Sequence, residues 1–251
     1  VGAQTANFFW YGPKLPLWNY LCVKSFVESG FNVNVWTYGE LDIPPGAKLA
    51  DANIYCEQKY LTSITQAGKP GCLSAFSDLF RWSMLEKEDG WWFDTDCLCL
   101  KHESEFVKLV EGSTIVAGIE PSYSKDLVAS AVLNVPNKQV AHMINMLIDK
   151  TLEITNRNIS WAQISVQMLT DLVERSPMLS NGIVDKSHFC PLSPQEAIKA
   201  ADPAYREELE NLTSNSYVYH FWNEMMRRAG VNCDVMPQQG SFLHSKFSLL
   251  V

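Results

Sequence analysis

Trp91-Trp92-Phe93-Asp94-Thr95-Asp96 is a short apolar run that ends in two acidic residues one position apart. Three bulky residues behind the breaker Asp89-Gly90 read as a buried strand that carries the aspartates at its end. In a strand, residues i and i+2 face the same side, so both carboxylates are expected to point into one pocket. There they repel each other unless a cation lies between them. Hard oxygen ligands at that spacing suit Mg²⁺ or Mn²⁺ carrying a diphosphate.

The residues upstream reinforce this reading. The spacing of apolar residues predicts a helix over 72–88, ending at Asp89-Gly90. On its wheel Ser74, Ser77, Asp78 and Arg81 fall within roughly a 100° arc, while Leu73, Phe76, Leu79, Phe80, Trp82 and Met84 occupy much of the rest. A solvent-facing stripe usually carries several Lys or Glu, and this one does not. A surface i, i+3 ion pair is the ordinary alternative. With the aspartates following, a fork of hydrogen-bonding groups aimed at a polar ligand is the better account.

Before that helix the chain reads β-α-β. Phe8-Phe9-Trp10-Tyr11 is a buried strand, residues 17–29 a helix capped by Gly30, and Asn32-Val33-Asn34-Val35-Trp36 an alternating strand. This opening favours a parallel sheet. Residues 41–50 are expected to form a loop and Ala52-Asn53-Ile54-Tyr55 a third strand. Beyond the aspartates, Cys97 and Cys99 alternate along a continuing strand and share a face, as core residues or, less simply, as a metal pair. Further strands are expected at 114–117, 129–133 and 217–222, helices at 137–154 and 162–173, and a capping box at Ser193-Pro194-Gln195-Glu196 opening a helix that resumes over 202–210.

The totals narrow the function. Hydrophobic residues at 47% of 251 allow a large core, and a net charge of −8 with no long Lys/Arg run argues against nucleic acid as a partner. Seven cysteines at irregular spacing form no disulfide framework, which points to a reducing, cytoplasmic location. No stretch is long and apolar enough to be a transmembrane segment, leaving peripheral contact with the membrane's inner face as the compatible association.

Phe76-Ser77-Asp78-Leu79-Phe80-Arg81-Trp82 followed by Asp89-Gly90-Trp91-Trp92-Phe93-Asp94-Thr95-Asp96 resembles the sugar-binding and DxD region of a glycosyltransferase superfamily. Its members include family 32-like sugar transferases, bacterial capsule and lipopolysaccharide glycosyltransferases, and α-1,4-galactosyltransferases. The usual Gly-Gly-Ile-Tyr is here Asp89-Gly90-Trp91-Trp92, which keeps a turn before a bulky strand. Phe8 to Gly12 resembles the family's first strand, Tyr219-His220-Phe221-Trp222-Asn223 its C-terminal His-x-Trp-Asn element, and Gly240-Ser241-Phe242-Leu243 its tail.

The resemblance implies an α/β chain: a single GT-A (Rossmann-like) domain over 1–251, with a mixed, mainly parallel central sheet flanked by helices. Its donor half is about 1–120 and its acceptor half about 121–251. It implies a retaining, metal-dependent transfer of a hexose or N-acetylhexosamine from a nucleotide-diphospho-sugar to a glycan or glycolipid hydroxyl, in surface polysaccharide or lipopolysaccharide biosynthesis. A UDP-sugar is favoured over a GDP-sugar. Asp96 would ligate Mn²⁺ or Mg²⁺ directly and Asp94 partly through water. Asp78 and Arg81, with Ser77, would hold donor-sugar hydroxyls. His220 would be a further metal ligand or a diphosphate contact, with Asn223 beside it. Trp10, Tyr11 and Gly12 would approach the donor, and Trp36 offers a further flat face. Ser241, His244 and Lys246 would cover the phosphates or form an ordinary exposed terminus. Asp96→Ala is expected to abolish transfer and leave the fold intact. A different class of function is a non-catalytic nucleotide-sugar or carbohydrate-binding protein on the same fold. A phosphohydrolase with Asp94 as nucleophile fits poorly, because Leu98 stands where Thr or Val is needed.

Overall fold

The computed structural model describes residues 2–122 and 125–251. Thr5–Phe9 pairs in parallel with Asn32–Thr37, Phe9 lying opposite Trp36, and the helix Leu17–Glu28 makes the crossover. That helix buries Trp18, Leu21, Cys22, Val23 and Phe26. It ends as the glycine predicts: Gly30, at φ +87°, donates to the Val27 carbonyl and Phe31 to that of Phe26. The two phenylalanine rings then meet at 5.3 Å, completing a Schellman motif with its hydrophobic contact.

Seven strands form the central sheet, in the order Ile183–Val184, Val116–Glu120, Leu127–Asn134, Trp91–Phe93, Thr5–Phe9, Asn32–Thr37, Lys48–Asp51. Only Leu127–Asn134 runs against its neighbours, so the sheet is mixed and mainly parallel. Trp91–Phe93 lies centrally, paired on both edges and fully buried, which is why its three residues are all bulky and apolar. Trp92 packs with Phe9, Phe76 and Phe80 beneath the helices Leu73–Lys87 and Lys138–Ile154. Trp91 and Phe93 face the other layer with Phe8, Phe26 and Phe106. Burying each such ring contributes about 1.5–3 kcal/mol. Asn7, wholly buried between the layers, donates to the Trp91 carbonyl and accepts from Asn34 and Trp36, clipping three strands together.

Gly90 turns the chain from helix into this strand at φ +106°, and a Cβ there would lie 2.6 Å from the Thr5 carbonyl oxygen. Only glycine meets both demands.

Several elements differ from expectation. The third strand is Lys48–Asp51, and Ala52–Ile54 is a 3₁₀ turn whose amide at Asn53 is capped by the Asp51 carboxylate. A short, mostly exposed edge strand has no apolar alternation to betray it. Cys97–Cys99 does not continue the strand before it. It forms a separate two-stranded ladder with Val218–His220, and both thiols are buried and free. The helix expected from 162 begins at Val166, because Ala162 takes a left-handed φ of +56°. The capping box forms, with the Glu196 carboxylate accepting from Ser193, but it opens a 3₁₀ segment, Pro194–Ala201. The strand at 217–222 is shorter, Val218–His220, and Trp222 turns left-handed at φ +48°. No helix among the described residues is long and apolar enough to cross a membrane.

Candidate active site

Leu73–Lys87 does not send its polar stripe to solvent. Asp78 is 8% exposed and Arg81 4%. The Arg81 guanidinium lies 3.1 Å from Asp78 and 3.2 Å from Asp94, donates to the Ser130 carbonyl, and stacks 4.8 Å over Trp92. One planar cation thus bridges the buried Asp78 carboxylate and the half-buried Asp94 carboxylate, a geometry suited to guanidinium and not to ammonium. The surface ion-pair alternative is excluded by this burial.

Asp94-Thr95-Asp96 is a turn, not the end of a strand: the Cys97 amide donates to the Asp94 carbonyl at 3.0 Å, closing it. The i, i+2 rule therefore does not apply and the two carboxylates take different partners, yet both residues line one cleft, as expected. Asp94 accepts from the Trp92 indole at 2.8 Å and faces Arg81. Asp96 accepts from the Asn223 amide at 2.7 Å and lies 3.3 Å from His220 Nε2. Trp222, held in the left-handed region, aims that amide at Asp96; a bulky residue there costs about 1–3 kcal/mol.

Electrostatics separate the acids. Burial pushes Asp94 above the ordinary carboxylate range, with Arg81 offsetting part of the shift. Burial also opposes ionisation of Asp96, yet the His220 imidazolium and the Asn223 amide hold it below that range. His220 would be lowered by burial, but the Asp96 carboxylate raises it well above its usual value. Asp78, desolvated first and only partly compensated by Arg81, is pushed up to about 6.

Between its unfolded value of 3.8 and about 6, the folded form keeps a proton on Asp78 that the unfolded chain has released. Stability therefore falls as pH rises through that window. At about 1.36 kcal/mol per unit, ionised Asp78 costs about 3 kcal/mol above it. We expect Asp78→Asn to raise the melting temperature at pH 7.5, with the difference closing by pH 4. Equal stability of the two proteins at both pH values would contradict this burial penalty.

Two neighbouring hollows adjoin these groups. A cleft of about 340 Å³ is lined by Trp10, Tyr11, Ser77, Arg81, Asp94, Asp96 and Asn223. A smaller chamber of about 180 Å³ takes Asp78 and His220, and shares Ser74, Arg81 and Asp94 with the cleft. Gly12 lines a neighbouring depression with Tyr11 and Tyr38. Trp36 is in the core. Ser241 and Lys246 line neither hollow. Ser241 is buried as the cap of the helix Phe242–Phe247, accepting from His244, and the Lys246 ammonium sits over Phe242. Asn19, Glu120 and Trp161 line these spaces without having stood out in the sequence. Asn19 and Glu120 are single polar residues in apolar elements and Trp161 lies in a turn, so no local pattern marks them.

The donor set can be tested against a divalent cation. Asp96, Cys97 and His220 bring potential ligand atoms within 4.8 Å of one another. Burial holds the Cys97 thiol well above its usual value, and a soft sulfur is a poor match for Mg²⁺ or Mn²⁺. The side-chain oxygens of Asn19 and Asn223 are buried without a hydrogen-bond partner, and both residues line the cleft beside Asp94 and Asp96. Carboxylate and amide oxygens with unused lone pairs fit a hard ion such as Mg²⁺ or Mn²⁺.

No protein-family model and no curated protein sequence matches the chain. Solved structures do match. The fold is shared with the apo structure of the WbbM bifunctional glycosyltransferase, at a TM-score of 0.55 and 8% identity, over 99% of this chain and 49% of that one. The chain thus spans about half the length of that protein. The PaToxG glycosyltransferase aligns at a TM-score of 0.49 and 12% identity, over 99% of this chain and 86% of that one. Mouse xyloside xylosyltransferase 1 aligns at 0.48 and 10%, over 88% and 98%. The class these observations define is an α/β fold with a seven-stranded, mainly parallel sheet, of the kind found in a solved glycosyltransferase.

Proposed function

We propose that the chain is a retaining, metal-dependent glycosyltransferase that moves a hexose or N-acetylhexosamine from a nucleotide-diphospho-sugar to a glycan or glycolipid hydroxyl. The observation that carries the reading is the junction at Arg81, where the Asp78 carboxylate and the Asp94 turn meet at the border of a cleft and a smaller chamber. The shared fold and the resemblance of the Phe76–Trp82 and Asp89–Asp96 segments to a glycosyltransferase superfamily support it. In this reading the whole chain acts as one domain, in the cytoplasm or against the inner face of a membrane, in surface polysaccharide or lipopolysaccharide assembly.

Trp10 and Tyr11 would offer flat faces to the nucleobase, a uracil in preference to a guanine. Asp94, Asp96 and the Asn223 side-chain oxygen would hold Mn²⁺ or Mg²⁺. When bound, that ion supplies positive charge against the departing diphosphate. Asp78 and Arg81 fix the sugar ring so that its anomeric carbon faces the acceptor. His220 holds Asp96 in its ionised form and in orientation, a positioning role. No side chain is assigned as nucleophile, and the leaving phosphate takes the acceptor's proton as attack proceeds on the same face.

The test is release of nucleoside diphosphate from UDP- and GDP-sugars with Mn²⁺ or with EDTA. Release that requires Mn²⁺ and at least one of these donors is expected. Binding of a nucleotide-sugar that EDTA leaves unchanged, with no release, would assign a non-catalytic binding role instead.

A further inference from the structure

Glu120 has no task in the reading above. It ends the strand Val116–Glu120, is 8% exposed, and lines the smaller chamber. Among the described residues its carboxylate has neither a hydrogen-bond donor nor an ion-pair partner; burial raises its carboxyl, and only the more distant His220 charge opposes this. Its oxygens are not sealed off but open onto the hollow, so the chamber suits a ligand that brings donors of its own.

The rest of the wall narrows that ligand. The single guanidinium, Arg81, is already committed to Asp78, Asp94 and the Ser130 carbonyl. Three acidic residues, Asp78, Asp94 and Glu120, therefore line the space against one occupied guanidinium and the Asp96-paired His220. An anionic ligand would find repulsion there, and one rich in hydroxyls would find acceptors. Trp161, 62% exposed, stands among the lining residues and offers an indole face to the apolar side of a ring. The volume, about 180 Å³, is below the roughly 300–1,000 Å³ of sites for drug-sized molecules, which fits one ring.

We propose that this chamber is a monosaccharide subsite in which Glu120 accepts hydrogen bonds from sugar hydroxyls, admitting an uncharged hexose and rejecting a uronic acid. The inference rests on the glycosyltransferase reading, because the chamber adjoins the cleft assigned to the diphosphate through Ser74, Arg81 and Asp94. It adds to that reading the residue that selects the sugar and the charge discrimination it imposes.

Titration calorimetry with Mn²⁺ tests it on the full chain and on Glu120→Gln, using UDP, UDP-glucose, UDP-galactose and UDP-glucuronic acid, with GDP and GDP-mannose alongside. For the wild type, one uncharged hexose is expected to bind at least about fivefold tighter than its bare nucleotide, and about tenfold or more tighter than UDP-glucuronic acid. In Glu120→Gln that discrimination is expected to narrow by about fivefold or more, while affinity for the bare nucleotide stays within about twofold. The bare nucleotide thus reports that the variant is folded. Equal binding of hexose and glucuronate by the wild type, or unchanged discrimination in the variant, would overturn the subsite. If the wild type binds no nucleotide at all, the glycosyltransferase reading falls first and the subsite falls with it.

Discussion

Asp96→Asn is expected to lower metal-dependent release of nucleoside diphosphate by on the order of 10²–10³-fold, while the protein remains folded. The carboxylate is the ionised one of the pair, held so by His220 and the Asn223 amide. An asparagine keeps an oxygen to accept from that amide but removes the charge that would hold Mn²⁺ or Mg²⁺ against a diphosphate. From this geometry Asp96→Ala is expected to cost stability as well as activity, more than the sequence alone suggested. It strips the partners from a buried His220 and from the Asn223 N–H, and is expected to cost about 1–3 kcal/mol in denaturant unfolding. Activity should therefore be read in the asparagine variant and stability in both. Turnover within about threefold of wild type in Asp96→Asn would remove Asp96 from any role at the diphosphate.

How far the sequence reached depends on whether a feature is local. The Asp78–Arg81 stripe and the burial of Trp91-Trp92-Phe93 follow from spacing along one helix and one strand, and the structure has both. So does the Gly30 cap, whose geometry is set within six residues. Asp94 and Asp96 reach one cleft as expected, but not by strand alternation, because a turn closed by the Cys97 amide replaced the expected strand and gave them different partners. Sheet order is also non-local. Leu127–Asn134 inserts antiparallel between Trp91–Phe93 and Val116–Glu120, and no pattern within it specifies its neighbours. The tail shows the limit of reading by order. Ser241 and Lys246 follow His-x-Trp-Asn in sequence, yet Phe242, Leu243 and Phe247 dock them into a separate apolar cluster with Trp18 and Tyr219. Asn19 and Glu120 were silent for a simpler reason. A lone polar residue in an apolar element has no period, and what makes each notable is an unmatched buried oxygen or carboxylate.

Arg81→Leu is expected to produce the largest loss of stability of any single change at the site, about 3–5 kcal/mol, together with loss of donor turnover. The guanidinium is 4% exposed and stands between Asp78 and Asp94, so its removal leaves a buried and a half-buried acid beside each other without a cation. The stacking on Trp92 and the bond to Ser130 are lost as well. Because the cost arises chiefly from uncompensated charge, it should depend on its neighbour. Adding Asp78→Asn to Arg81→Leu is expected to recover at least about 1 kcal/mol beyond what Asp78→Asn contributes alone, a coupling readable in a double-mutant cycle. Arg81→Lys keeps one charge but cannot span Asp78, Asp94 and the Ser130 carbonyl together. It should lose less stability than Arg81→Leu, yet still lose most of its turnover, since the sugar clamp requires the fork and not the charge alone. A destabilisation of Arg81→Leu under about 1 kcal/mol, or additivity within the cycle, would mean that the three groups are not one electrostatic unit. The clamp assigned to Asp78 and Arg81 would then lose its physical basis.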